Sequence, residues 1–143
     1  MRISYEIRII ASMKNKSDFD NWNILKQQTD CFDSKNFKKG EVYWCRLGVN
    51  IGIEMDGKGV EYLRPVIILK TFSRECLLVA PITTKNREGS WYYKIKILDE
   101  DRVVVLNQIR TIDSKRLVRD SLCQLSNRKI RKIVRRYKIL ISS

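Results

Sequence analysis

The chain contains no histidine. That removes the one side chain whose ordinary pKa lies near neutrality from every acid–base and metal-binding role. Cysteines number four (Cys31, Cys45, Cys76 and Cys123), and no two have CxxC spacing. Zinc sites draw on clustered Cys and His ligands, so no metal site is expected. The spacing implies no disulfide framework either. Cys45 and Cys76 fall in apolar strand patterns and read as small core residues. The sequence has no apolar run of about 20 residues, so no membrane span is expected. Proline occurs only twice, at Pro65 and Pro81. Acidic residues are also scarce: 16 Asp and Glu stand against 29 Lys and Arg, a net charge of +13. Such an excess favours an anionic partner, most often nucleic acid. It is unevenly spread. From Ser114 to Ser143 ten basic residues face one acidic residue, a local net of +9.

What is present suits one domain with one modest core. The first sixteen residues hold a short apolar patch interrupted by Glu6. They read as a weak strand or a disordered lead and not as a signal peptide, and a cytoplasmic protein is expected. Residues 17–28 predict a short helix capped by Ser17 or Asp18, with Phe19, Trp22 and Leu25 on its apolar side. The helix either packs on the outside of the domain or lines a functional groove or dimer contact.

Strands are predicted over Glu41–Leu47, Arg64–Phe72, Cys76–Ile82, Ser90–Leu98, Arg102–Ile109 and Val118–Leu125, with turns at 73–75, 99–101 and 114–117. Trp91, Tyr93, Ile95 and Ile97 alternate with Tyr92, Lys94 and Lys96, which gives a half-buried strand with a basic, aromatic outer face. The run Val103–Leu106 implies burial on both sides. Ser126 caps a final helix, Asn127–Ile141, with Ile130, Ile133, Val134, Tyr137 and Ile141 on its apolar face. No internal repeat or low-complexity tract appears. Many short strands and one closing helix predict a mainly β protein: a small twisted antiparallel barrel of SH3-like type with a C-terminal helix and an N-terminal helical extension.

Gly48 to Thr84 organises the chain. Four of the six glycines (Gly48, Gly52, Gly57, Gly59) fall within twelve residues. Glycine permits positive φ and close backbone approach to another molecule. The loop closes on Arg64-Pro65 and enters Val66–Leu69. A second apolar run ends at Pro81-Ile82-Thr83-Thr84-Lys85. Two strand ends thus deliver an arginine and a threonine beside a glycine-rich loop. By spacing alone this is equally a long hairpin connection with a solvated arginine.

Four motifs in order tip the balance: Gly40-Glu41-Val42-Tyr43-Trp44; the glycine loop closing on Arg64-Pro65-Val66; Ala80-Pro81-Ile82-Thr83-Thr84; and Asn107-Gln108-Ile109-Arg110-Thr111-Ile112-Asp113 followed by Lys115-Arg116-Leu117. Together, over residues 38–141, they resemble the MazF/PemK family of toxin endoribonucleases from bacterial type II toxin–antitoxin systems. Residues 1–37 are then an N-terminal extension and 38–143 the toxin domain. The resemblance implies a fold shared with the gyrase poison CcdB. It also implies a homodimer, a cognate antitoxin with an acidic segment, and sequence-specific, metal-independent cleavage of single-stranded RNA, chiefly mRNA, without a cofactor. The expected outcome is arrest of translation and growth. Two rival readings are a CcdB-like gyrase-binding toxin without catalysis and an inactive relative that only binds single-stranded RNA.

In RNA cleavage of this kind the 2′-hydroxyl is the nucleophile, and the protein supplies geometry, proton transfer and positive charge at phosphorus. The resemblance places the catalytic arginine at Arg64, whose guanidinium holds two phosphate oxygens. It places at Thr83 a hydroxyl that bonds the scissile phosphate or orients the 2′-hydroxyl, with Thr84 as a second contact. Glu54 matches the acidic loop residue. It is a base or an orienter of Arg64, and a solvated glutamate with a pKa of about 4.3 favours the second role. Gln108 and Arg110 match the family segment, with an internal Arg110–Asp113 ion pair as the competing reading. Lys58, Tyr62, Lys85, Tyr92, Lys94 and Lys96 suit a single-strand groove, where bases stack on rings and lysines follow phosphates. Two positions depart from the pattern. Ile53 stands where many members carry Ser or His, and Asn107 stands where some carry Asp. The basic face of the last helix reads as solvated, or as an attraction for an acidic antitoxin.

Overall fold

The apolar runs of the sequence become strands buried on both sides. The computed structural model describes residues 15–143, and the segment 1–14 with its expected weak strand lies outside them. The elements are helix α1 (Lys16–Asp30), strands β1 (Glu41–Arg46), β2 (Leu63–Thr71), β3 (Cys76–Thr83), β4 (Tyr92–Ile97) and β5 (Glu100–Val105), a 3-10 turn (Leu106–Gln108), β6 (Arg110–Asp113), a second 3-10 turn (Ser114–Arg116), β7 (Leu117–Gln124) and helix α2 (Asn127–Ser142). The sheet is antiparallel in the order β4-β5-β3-β2-β1-β7, with β6 also paired to β3. Among the described residues it does not close into a hydrogen-bonded ring.

Strand β3 is the branch point. Its first half pairs β6 (Cys76 opposite Asp113, Val79 opposite Arg110), and its end pairs β5 (Ile82 opposite Val104, Thr83 opposite Val103). Side chains alternate along β2 and β3, so both faces bury apolar groups. Ile67, Leu69, Ala80 and Ile82 enter one core with Val104, Leu106, Ile130 and Ile133. Val66, Ile68, Leu77 and Val79 enter the other with Cys45, Leu47, Ile112 and Leu117. This is why these strands read as continuous apolar runs rather than alternations. Burial of each such aliphatic side chain stabilises by about 1.5–3 kcal/mol.

Helix α2 covers the first core with Ile130 and Ile133, backed by Val134, Tyr137 and Leu140. Ser126 caps it, accepting from Lys129 N. Ile141, expected inside, is 64% exposed, and Leu140 packs against the core in its place. Helix α1 buries Trp22 and Thr29. Phe19, expected on the apolar side, is exposed, and the cap is Asn15, whose Oδ1 accepts from Ser17 N. The β4–β5 turn falls one residue earlier than expected. Ile97 pairs Glu100, leaving Leu98 and Asp99 as a two-residue loop with φ of 52° and 61°. A type I′ hairpin turn has positive φ at both positions and a twist that matches that of the strands. Arg110–Asp113, expected only to lead into the turn at 114–117, is strand β6; that turn is the second 3-10 turn, and Leu106–Gln108, expected as the end of a strand, is the first.

Candidate active site

Strands β2 and β3 pair with Val66 opposite Pro81. Continued by two residues, that register would set Arg64 across from Thr83, with both side chains on the same side of the sheet. The two open onto a cleft of about 240 Å³ that Lys58, Lys85 and Arg87 also line. Trp91 and Tyr92, their rings 6.0 Å apart, line it too, as do Ile53, Met55, Asn107 and Gln108.

Arg64 is half-buried, and its Nε donates to the carbonyl of Asp56 at 2.8 Å. That bond takes one of the five guanidinium donors of a residue that lines the cleft. Burial lowers its pKa from the ordinary arginine value, while the nearby Asp56 carboxylate opposes that shift. Thr83 is buried, and its hydroxyl oxygen accepts from Lys85 N at 3.2 Å. A hydroxyl that accepts one bond still has its own proton to donate. Among the described residues, no carboxylate pairs with Lys58, Lys85 or Arg87. The cleft therefore offers a bidentate cation, a hydroxyl donor, further cations and two ring faces, which together suit a phosphodiester flanked by bases.

The other predicted residues divide. Glu54 does not orient Arg64: its Oε1 accepts from Ile51 N at 2.9 Å, and its side chain lines a neighbouring cavity of about 460 Å³. The carbonyl of Asp56 holds Arg64 instead. Gln108 clamps the glycine loop, with Oε1 accepting from Met55 N at 3.0 Å and Nε2 donating to Ile53 O at 3.1 Å. It forms the partition shared by the cleft and the larger cavity. Arg110 lines the larger cavity and not the cleft. Asp113 fixes the following turn by accepting from Lys115 N at 2.9 Å, not by pairing with Arg110.

Tyr62 is not a stacking platform. It is buried under α1, edge-on to Trp22 at 5.9 Å, and its hydroxyl donates to Asp18 at 3.4 Å. Thr84, Lys94 and Lys96 line a separate groove of about 520 Å³. There Lys94 pairs with Glu88, and Lys96 lies 3.5 Å from Asp101. Sequence reasoning singled out neither Arg87 nor Trp91 as a cleft residue. Arg87 sits in a polar loop with no periodic signal. Trp91 was assigned to the buried face of the fourth strand, but it precedes β4 and is 43% exposed.

Comparison with known proteins decides the family. Residues 38–141 match the model of the PemK-like, MazF-like toxins of type II toxin–antitoxin systems. The chain belongs to this family. It is 30% identical over 106 residues to the endoribonuclease MazF of Staphylococcus saprophyticus, covering 67% of this chain and 83% of that one. MazF from Deinococcus radiodurans shares the fold with a TM-score of 0.61 at 16% identity, over 76% of this chain and 99% of that one. A mycobacterial endoribonuclease, solved in complex with its cognate antitoxin, aligns with a TM-score of 0.52 at 18% identity, over 73% of this chain and 93% of that one. At these identities the two structures show a common fold. The MazF/PemK assignment also agrees with the open antiparallel sheet and closing helix described above. Among the described residues no helix is long and apolar enough to cross a membrane.

Proposed function

We propose that this member of the MazF/PemK family is a sequence-specific endoribonuclease toxin that cleaves single-stranded RNA, chiefly mRNA, in the cytoplasm. The observation that carries this reading is the convergence of Arg64, Thr83 and Lys85 with the rings of Trp91 and Tyr92 in one cleft. The substrate's 2′-hydroxyl attacks the adjacent phosphorus as it gives up its proton. The bond to the 5′-oxygen breaks, and that oxygen takes up a proton. The products carry a 2′,3′-cyclic phosphate and a 5′-hydroxyl. Arg64 grips two non-bridging oxygens and neutralises charge that grows at phosphorus. Thr83 donates to the phosphate or orients the 2′-hydroxyl. Lys58, Lys85 and Arg87 hold the flanking phosphates, and Trp91 and Tyr92 stack the neighbouring bases. Because the nucleophile belongs to the substrate, the route requires no metal-activated water.

Glu54 and Gln108 act on the shape of the loop and not on the phosphate. The larger cavity beside Arg110 and the groove beside Thr84, Lys94 and Lys96 extend the path of the RNA strand. A homodimer and a cognate antitoxin whose acidic segment occupies the basic cleft complete the reading. The test is cleavage of a long single-stranded RNA by purified protein in EDTA, with mapping of the new 5′ ends. Discrete cuts with 5′-hydroxyl ends are expected. Intact RNA in the presence of folded protein overturns the proposal.

A further inference from the structure

Helix α1 precedes the segment that matches the family, yet it sits on the root of the loop that walls the cleft. Trp22 is the contact. A Cβ at Gly48 would stand 2.1 Å from the Trp22 ring, so only glycine lets the ring approach the backbone so closely there. The φ of Gly48, +79°, makes the same demand. Trp22 also meets the Arg116 guanidinium, 5.7 Å from the ring centre.

From Gly48 a short series of contacts leads to Arg64. Gly48 N donates to Tyr62 O at 3.3 Å, and Gly48 O accepts from Gly57 N at 2.9 Å. Gly57 in turn lies against Tyr62, where a Cβ would fall 1.6 Å from the Tyr62 carbonyl oxygen. The preceding residue, Asp56, supplies the carbonyl that accepts from Arg64 Nε. The second root of the loop is tied to the same helix. The Tyr62 hydroxyl donates to Asp18, Arg46 donates to Thr29 at 3.2 Å, and Arg46 also holds Glu61 at 2.9 Å.

We propose that α1 is a positioning element for catalysis: Trp22, pressed on Gly48 and Tyr62, sets the loop that orients Arg64 in the cleft. Trp22 touches no substrate in this scheme and acts only through the loop. The inference rests on the ribonuclease reading for its kinetic consequence, and on contacts alone for its structural one.

The test uses the full chain with Trp22→Ala, Trp22→Phe and the wild type. Three quantities are measured: kcat on an RNA of the mapped cut sequence, affinity for the 2′-O-methyl version of that oligonucleotide, and amide exchange. Displacing a positioned group by about 1 Å costs up to roughly 100-fold in rate. The expected loss in kcat for Trp22→Ala is therefore about 10- to 100-fold, with analogue affinity within about twofold. The amides of Gly48, Gly57, Lys58 and Leu63 are expected to exchange faster, while those of the β3–β6 pairing do not change. Trp22→Phe, which keeps a ring on Gly48, is expected to restore most of the rate. Should Trp22→Ala unfold, Trp22→Leu keeps an apolar side chain without the ring and is expected to show the same loss. Unchanged kcat overturns the proposal, as does a loss confined to affinity, which would make α1 an RNA contact. If the wild type cleaves no RNA, the ribonuclease reading fails by itself. Exchange then decides alone, and unaltered loop exchange in Trp22→Ala overturns the positioning role.

Discussion

Two basic surfaces lie side by side on this molecule, and they differ in what neutralises them. In the groove along β4 and β5, Lys94 pairs with Glu88, Lys96 lies near Asp101, and Arg102 pairs with Glu100. In the cleft at the ends of β2 and β3, Lys58, Lys85 and Arg87 have no carboxylate partner among the described residues. The cleft also holds a half-buried guanidinium and a buried hydroxyl. Basic residues on a strand are therefore a poor guide to binding. Whether a lysine is free to meet a phosphate depends on which acidic residue the turn beside it brings into reach.

The comparison can be broken from its strongest side first. Arg64→Ala is expected to lower cleavage by about 100-fold or more, the usual effect of removing a group that stabilises charge in the transition state. Circular dichroism and the melting temperature should stay near wild type, since among the described residues the Arg64 side chain makes one hydrogen bond, to a carbonyl. Thr83→Val keeps the buried shape and removes the hydroxyl. A hydrogen bond to a charged group contributes roughly 1.5–3 kcal/mol, so a rate loss of about tenfold or more is expected. Single-turnover kinetics with Thr83→Ser as a rescue would check it.

The contrast between paired and unpaired cations is sharpened by salt titration of RNA binding. Each cation that neutralises a phosphate on a single strand contributes about 0.7 to the slope of log affinity against log salt. The double change Lys85→Gln with Arg87→Gln is expected to lower that slope by about 1.4. Lys94→Gln with Lys96→Gln is expected to change it less, because those cations already face carboxylates. Equal effects would erase the distinction between the two surfaces.

The smallest effect concerns the loop root. Hydrogen bonding and charge from Arg46, together with Arg119, hold the Glu61 carboxyl below its ordinary pKa, against an opposing contribution from burial. A carboxyl depressed in the folded state adds stability above its unfolded pKa of about 4.3, and that stability is lost as pH falls through the folded value. The melting temperature should therefore drop below about pH 4.3, and Glu61→Gln should flatten part of that slope.

Most of the elements were legible because they follow one rule each. The runs Val66–Leu69 and Val103–Leu106 are buried as expected, and Ser126 starts the last helix where its side chain can cap it. Errors fell where two rules compete. Ile141 and Leu140 both fit the helical period, and only the packed sheet chooses between them. Arg110–Asp113 has too little pattern to announce a strand, and it becomes one because the first half of β3 has a free edge. At the site, Arg64 and Thr83 were legible from their motifs. Tyr62 was misread because an exposed and a buried tyrosine look alike in one sequence. Arg87 carried no signal at all.

By itself the sequence determined the family, the run of strands between two helices, the excess positive charge and the delivery of an arginine and a threonine to neighbouring strand ends. These depend on local periodicity, composition and motif order, which a chain carries before it folds. The tertiary structure decided which cations are left unpaired, that Glu54 turns to its own loop while Asp56 holds Arg64, and that Trp22 lies on Gly48. Those outcomes depend on distances between residues far apart in the chain, and such distances exist only once the sheet has brought its strand ends together.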